Sequence, residues 1–296
     1  MPTALITGGT GFIGRTLSQQ LAADGYRIII LSRSQHSSTE AIRYIRQLDD
    51  IHADLSVDVI INLAGESLDS ARWNTLQKNR IVQSRIGVTR NIQQWLRKQN
   101  RSVPLLISGS AIGWYGHQQD KPLYEDAIAA DGFSHRLCDE WEKTARQCHP
   151  NAQRIVLIRT GIVLEKDGGP LKAMLLPFKM GLGGKMGSGR QIWSWIHRED
   201  WIRLVKFIID HDNISGPVNA TAPEPVTQAS FANTLASTLK RPAILPMPAP
   251  MARLAMGEFA DEVLLNGQAV YPKKAQDAGF PFRYPTLPEA LQAILG

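Results

Sequence analysis

The 296-residue sequence predicts an α/β protein: a doubly wound parallel sheet followed by a smaller α/β region at the C-terminal end. Three observations predict it. Short apolar, β-branched runs alternate with segments of helical period through about residue 165. The first of these runs leads through a glycine turn straight into a helical pattern. Beyond residue 165 the alternation lapses into a glycine-rich stretch and a proline-rich tail. Residues 1–165 therefore read as the first unit, with a later strand returning at about 215–222, and residues 166–296 as the smaller region on its substrate side.

Taken in order, "TALIT" (3–7) is the first strand, and Phe12, Leu17 and Leu21 mark the helix after it. "YRIIILSR" (26–33), "DVIINLAGE" (58–66), "PLLISGSA" (104–111) and "RIVLIRTGIVL" (154–164) are further buried strands, because unbroken apolar runs suit a sheet covered on both faces. Residues 34–57 hold a connection and one short strand, while 74–98 and 135–148 are helical. "LKAMLLPFKMGLGGKMGSGRQ" starts as a helix and decays into Gly181, Gly183, Gly184, Gly187 and Gly189, a loop expected to be mobile or to close over something. "SWIHREDWIRLVKFIID" turns into a helix, "GPVNATAPEPVT" is a strand before the helix at 228–239, and "LPEALQAIL" closes the chain.

Composition narrows the function. A net charge of +6 with Lys and Arg scattered, never five in a run, argues against a nucleic-acid arm but suits an anionic ligand. No apolar run reaches the roughly 20 residues that span a bilayer. Cys138 and Cys148 lie ten apart on one predicted helix, too far along it for a disulfide, so free thiols in a reducing cytoplasm are expected. No metal site is expected.

Gly9, Gly11 and Gly14 satisfy G-x-G-x-x-G between strand and helix, and Gly8, Gly11 and Gly14 satisfy the wider form that opens on Thr7. Glycine is required there for the tight turn, for approach of a pyrophosphate and for helix-on-strand packing. The motif predicts a Rossmann-type fold, with Gly8, Thr10, Gly11, Phe12, Ile13 and Gly14 as the candidate cofactor loop. The end of the second strand selects the cofactor. An acid that would hold a ribose hydroxyl is missing from "LSRS", the nearest being Glu40. Ser32 and Arg33 instead suit a 2′-phosphate, which favours NADP(H) over NAD(H); a surface arginine at a strand end is the plainer alternative.

"TGGTGFIG", "INLAGE" (61–66) and "ISGSAIGWYG" (107–116) resemble the extended or atypical short-chain dehydrogenase/reductase superfamily. "ARWNTLQKNRIVQSRIGVTRN" (71–91), "GSGRQIWSWIHRED" (187–200) and the tail from about 247 are similar to its epimerase-like "39U" branch, whose C-terminal domain has no known function. The resemblance covers the whole chain. It implies that Leu63, Ala64 and Gly65, with Glu66 beside them, lie along the adenosine, that Lys78 and Arg85 stand near the cofactor, and that Thr160 and Ile162 flank the nicotinamide. Ser108 and Ser110 match the strand-end serines, the second usually catalytic.

The resemblance breaks at the proton relay. Active members carry Tyr-x-x-x-Lys on one helix face, the ammonium lowering the phenol pKa. Here Tyr26, Tyr44, Tyr115, Tyr124, Tyr271 and Tyr284 are followed four residues on by Ile30, Leu48, Gln119, Ile128, Ala275 and Pro288. Matching "HRLCDEWEKTA" to the usual helix puts Ser134 at the Tyr position and Cys138 at the Lys position. Tyr115 and His135 remain as candidate proton donors beside Ser110, with Arg190, Trp193 and His197 on the substrate side and Lys185 helping to hold an anionic or polyhydroxylated substrate. Each has a duller reading: His135 a surface residue, His197 with Asp200 a helix cap, Trp193 core, Cys138 a buried hydrophobe. The expectation is an NADP(H)-dependent oxidoreductase or epimerase-like enzyme acting on a small molecule, with a possible homodimer formed through 74–98 and 135–148. An NADP(H)-binding sensor with little turnover is the alternative, and a purely structural use of the fold a weaker third.

Overall fold

A computed structural model describes residues 1–68, 70–118 and 121–296. Seven strands form one parallel sheet: β1 (Thr3–Thr7), β2 (Arg27–Leu31), β3 (Ile42–Ile45), β4 (Val59–Asn62), β5 (Val103–Ala111), β6 (Ala152–Thr160) and β7 (Gly216–Ala220). Their spatial order is β7-β6-β5-β4-β1-β2-β3, so the direction of winding reverses between β1 and β4. Ligands of such sheets bind at the carboxyl ends of the strands beside that reversal. The predicted fold class is the one observed.

Period-two alternation explains why the strands read as unbroken apolar runs. Ala4 and Ile6 pack with Ile28, Ile30, Ile61 and Ile107 on the face covered by α1 (Gly14–Ala23). Leu5, Ile29, Ile60 and Leu106 point to the opposite face, where Ile92, Trp95 and Leu96 meet them. At roughly 1.5–3 kcal/mol per fully buried aliphatic side chain, the layers on both sides dominate the stability of this half. The predicted 74–98 helix is α2 (Thr75–Val82), a wider π turn at Gln83–Gly87, and α3 (Val88–Lys98). Next come α4 (Phe133–Arg146), α5 (Gly169–Lys179), α6 (Arg198–Asp210), α7 (Gln228–Thr238), α8 (Ala249–Met256), α9 (Lys273–Asp277) and α10 (Leu287–Leu295). Among the described residues no helix is long and apolar enough to cross a membrane.

Two expectations need correction. "RIVLIRTGIVL" is not one strand: β6 stops at Thr160, and Ile162–Leu164 pairs in parallel with Trp195–His197 in a separate sheet. Gly161 makes the break, since a Cβ there would stand 2.6 Å from the Ser194 carbonyl oxygen. The glycine loop is also docked rather than free. Gly187 N–H donates to Met247 O (2.9 Å), Met247 N–H to Lys185 O (2.8 Å) and Leu245 N–H to Gly183 O (3.1 Å). Such close backbone contact needs glycine, because a Cβ on Gly184 would lie 2.2 Å from Leu245 O.

The cap reading holds for His197 and not for Asp200. His197 caps α6, its Nδ1 accepting the Glu199 N–H at 3.0 Å, and burial lowers its imidazole pKa, which keeps that acceptor lone pair free. Asp200 is fully buried and accepts from the N–H groups of Arg283 (2.9 Å) and Tyr284 (2.8 Å) and from Arg203 Nη1 (2.8 Å). It thereby fastens the C-terminal segment to the start of α6. Asp200→Ala is expected to cost about 3 kcal/mol by stranding these donors; urea unfolding of the variant against the parent checks it.

Candidate functional site

The loop from Gly8 to Gly14 is shaped by three close approaches. Gly8 has φ +69°, and a Cβ on it would stand 2.5 Å from Leu63 O. A Cβ on Gly14 would stand 2.2 Å from Gly8 O, and Gly9 rests on the Ile30 side chain. Gly11 N–H donates back to Gly8 O at 3.0 Å, closing the turn, while Thr10 and Gly11 face outward. Ile13 precedes α1, whose first turn has no side-chain cap and no acidic residue. Arg15 N–H and Leu17 N–H donate to Gly11 O and Ile13 O, both at 3.0 Å, and no side chain caps the remaining N–H groups that could face an anion. Phe12 packs against the Gly168–Gly169 turn beneath the Arg198 guanidinium, 5.0 Å from its ring. Thr7 donates to Asn62 Oδ1 (2.6 Å) and accepts from Ala64 N–H (3.2 Å), holding the ends of β1 and β4 together.

Leu63, Ala64 and Gly65 line the exit from β4, opposite the glycine loop. The π turn swings Arg85 across them: its Nη2 donates to Glu66 O at 3.0 Å, and a Cβ on Gly65 would meet the guanidinium at 3.0 Å. Burial lowers the Arg85 pKa, and its guanidinium lies 5.5 Å from the Trp141 ring. Widened helical turns of this kind often occur at functional sites. Bonds from Gln77 (2.9 Å) and Ser70 (3.1 Å) hold the Glu66 carboxyl below its usual range, aided by the charges of Arg80 and Arg33. At the end of β2, Ser32 is buried and accepts from Ser34 N–H (3.2 Å), while Arg33 is exposed. Lys78 is turned elsewhere: it pairs with Glu258 at 2.7 Å and lies over Phe133.

The expected catalytic hydroxyls are locked into the protein. Ser110 Oγ donates to Glu142 Oε1 at 2.8 Å, and that fully buried carboxylate also takes Arg159 Nε (2.8 Å) and Nη2 (3.0 Å) and Arg146 Nη2 (3.0 Å). Arg159 Nη1 donates to Tyr115 Oη (3.1 Å), which donates to Asn219 Oδ1 (2.6 Å). Burial pushes the Tyr115 phenol up to about 12, so it holds its proton at neutral pH. Ser110 and Tyr115 thus serve a buried guanidinium that needs every partner it has. Ser108 is wholly buried on β5. His135 is half-buried, its Nδ1 against the Trp114 carbonyl. Burial raises the Cys138 thiol to about 12, so nothing at the relay's Lys position carries positive charge.

On the remaining side, Thr160 Oγ accepts from Trp201 Nε1 at 3.0 Å, and half-buried Ile162 opens the strand that bends away. Trp193 is core, its ring centroid 5.2 Å from that of Phe231. Arg190 and Lys185 are exposed on the docked glycine loop. Among the described residues there is no group of three or more His, Cys, Asp or Glu able to hold a metal.

Two residues escaped the sequence reading. Glu262 Oε2 accepts the Ser134 hydroxyl at 2.7 Å and the Ser134 N–H at 3.2 Å, and lies 3.7 Å from His117 Nε2. His117 is the chief cause that holds the Glu262 carboxyl down at about 2. The contact joins residues 128 apart in sequence, so no spacing rule could find it. The one signal was chemical: Ser134 stands alone where the resemblance wants a tyrosine. If the inner network is structural, Glu142→Ala will cost about 4 kcal/mol by leaving Arg159 buried and unpaired. Ser110→Ala will cost only about 1 kcal/mol. Chemical unfolding of both variants measures the difference.

Comparison with known proteins adds the following. Residues 4–220 match the NAD dependent epimerase/dehydratase family, and residues 247–294 match a domain of unknown function, DUF1731. Epimerase family protein Mb2239 of Mycobacterium bovis is 38% identical over 288 residues, covering 97% of this chain and 95% of its own. The crystal structure of human epimerase family protein SDR39U1 (isoform 2) with NADPH superposes with a TM-score of 0.90 at 31% identity, covering 99% of both chains. MoeE5, solved in complex with UDP-glucose and NAD, has a TM-score of 0.77 over 99% of this chain and 97% of its own; at 18% identity it shares the fold.

Proposed function

This chain belongs to the NAD dependent epimerase/dehydratase family, in the branch of SDR39U1, and from that premise we propose that it is an NADP(H)-dependent oxidoreductase or epimerase-like enzyme acting on a small carbonyl or hydroxyl compound. The carrying observation is the exposed Arg33 at the end of β2, beside the phosphate turn and with no carboxylate in "LSRS" to hold a ribose hydroxyl. The human relative was solved with NADPH, which supports the same cofactor here.

The residues fit the group. Gly8 and Gly14 leave room where a Cβ would collide with backbone, and the uncapped N–H groups of α1 face the place for the pyrophosphate. Arg33 and Ser32 would hold the 2′-phosphate, and Leu63, Ala64 and Gly65 would lie along the adenosine under Arg85. When bound, the nicotinamide supplies or accepts hydride. The chain's own part is to orient the ring between the ends of β5 and β6, exclude water and manage a proton. The exposed Lys185 and Arg190 would give an anionic substrate its long-range attraction.

A second reading, an NADP(H) sensor with little turnover, draws on the locked Ser110 and Tyr115. NADPH oxidation across a panel of short aldehydes and 2-oxo acids separates the two, since a sensor turns over none. Arg33→Asp is expected to weaken NADPH binding roughly tenfold to a hundredfold by removing a charge-assisted bond, with NADH binding nearly unchanged. Equal losses for both cofactors, measured by calorimetry, would overturn the 2′-phosphate assignment.

A further inference from the structure

His117, Glu262 and Ser134 come from three separate segments and meet at the first turn of α4. That turn lies against the exit of β5: a Cβ on Gly113 would stand 3.1 Å from Ser134 Cβ and 3.8 Å from Cys138 Sγ. The cluster therefore sits at the carboxyl end of the sheet, where ligands of this fold bind, and around the very position from which the relay tyrosine is missing. It is partly open, with the His117 and Glu262 side chains 27% and 18% exposed.

Within this cluster one polar atom is left over. His117 Nε2 faces the Glu262 carboxylate, whereas His117 Nδ1 is buried and has no partner among the described residues. A buried polar atom left unpaired costs about 1–3 kcal/mol, so such an atom in a native site points to a group that arrives with a ligand. The carboxylate also biases the ring's chemistry. At 3.7 Å from Nε2 its charge favours the proton on that nitrogen and leaves Nδ1 with a lone pair, or with a transferable proton when the ring is charged. Carboxylate–imidazole pairs of this kind orient and tune the ring in acid–base catalysis.

We propose that His117 is the acid–base and ligand-anchoring group of this cleft, with Glu262 as its positioning residue, and that together they take the place of the missing tyrosine and lysine toward the oxygen of a carbonyl or hydroxyl compound bound beside Ser134. The proposal rests on the reading that a small oxygenated substrate enters this cleft. In reduction the carbonyl carbon would take hydride from the reduced dinucleotide while its oxygen takes the proton from His117; in oxidation the carbon would give hydride to the oxidised dinucleotide while His117 takes the hydroxyl proton.

The test uses the full-length chain labelled with ¹⁵N-histidine. Long-range ¹H–¹⁵N spectra should show the Nε2–H form of His117 in the wild type and a mixture of tautomers in Glu262→Gln. The same aldehydes and 2-oxo acids, added to NADP⁺-saturated protein, should shift the His117 Nδ1 signal. For any compound turned over, His117→Ala should lower kcat about a hundredfold and leave NADPH affinity within about twofold, with Glu262→Gln giving a smaller loss and a displaced pH profile. A wild-type His117 that carries its proton on Nδ1, or whose tautomer ignores Glu262→Gln, overturns the proposal, as does full turnover by His117→Ala. Turnover of no compound by the wild type defeats the oxidoreductase reading instead; the tautomer and the Nδ1 shift then decide the proposal by themselves.

Discussion

Arg159 is 1% exposed in the middle of the molecule, and a guanidinium stays charged there only if its desolvation, several kcal/mol, is offset by partners fixed in place. Glu142 supplies both carboxylate oxygens, Tyr115 its phenol oxygen, and Trp114 a ring face 3.5 Å away. Glu142 comes from α4, and Trp114 and Tyr115 from the turn after β5. Glu142 ties α4 to the sheet, Tyr115 ties the loop after β5 to Asn219 of β7, and Ser110 ties β5 to the same carboxylate. α4 and the loop at 112–118 are therefore held by one buried charge. The hydroxyl protons of Ser110 and Tyr115 are both committed to this scaffold.

The fold was legible in the sequence because its causes are local. Five apolar runs, a glycine turn and a helical period suffice to place β1, β2, β4, β5 and the start of β6. The same holds for the cofactor loop, where the need for glycine at positions 8 and 14 is a backbone collision between near neighbours. The position of Arg33 just past β2 was readable for a similar reason, the strand lying at a fixed distance beyond the glycine turn. The break at Gly161 was not readable, since it depends on the approach of Ser194, and neither was the docking of the 181–189 loop onto residues 245–247.

The partners of the candidate site residues were not legible for a related reason. Ser110, Tyr115 and Lys78 have the right types at the right places, but their hydrogen bonds go to Glu142, Asn219 and Glu258, none of which is close in sequence. Residue type and spacing show what a side chain can do. They do not show which of its protons are already spoken for. His135 and Trp193 illustrate the same limit, one set against a backbone carbonyl and the other packed into core.

The C-terminal region acquires a definite physical role from these contacts. It sends Glu258 to Lys78 on α2 and Glu262 to Ser134 on α4, two helices that belong to the cofactor half. Gln268 reaches Gly116 O at 2.8 Å, and Tyr271 O accepts from Asn219, so the same segment also braces the loop after β5. A chain that lost tyrosine and lysine from α4 would leave a gap at its first turn. Here that space is bridged from outside the cofactor half by a carboxylate that stays ionised down to about pH 2. A carboxylate alone, with so low a pKa, is a poor proton donor at neutral pH, and its oxygen already accepts from Ser134. A ring nitrogen stands beside it instead: His117 Nε2 lies 3.7 Å from that carboxylate, so the charge that bridges the gap also bears on the imidazole.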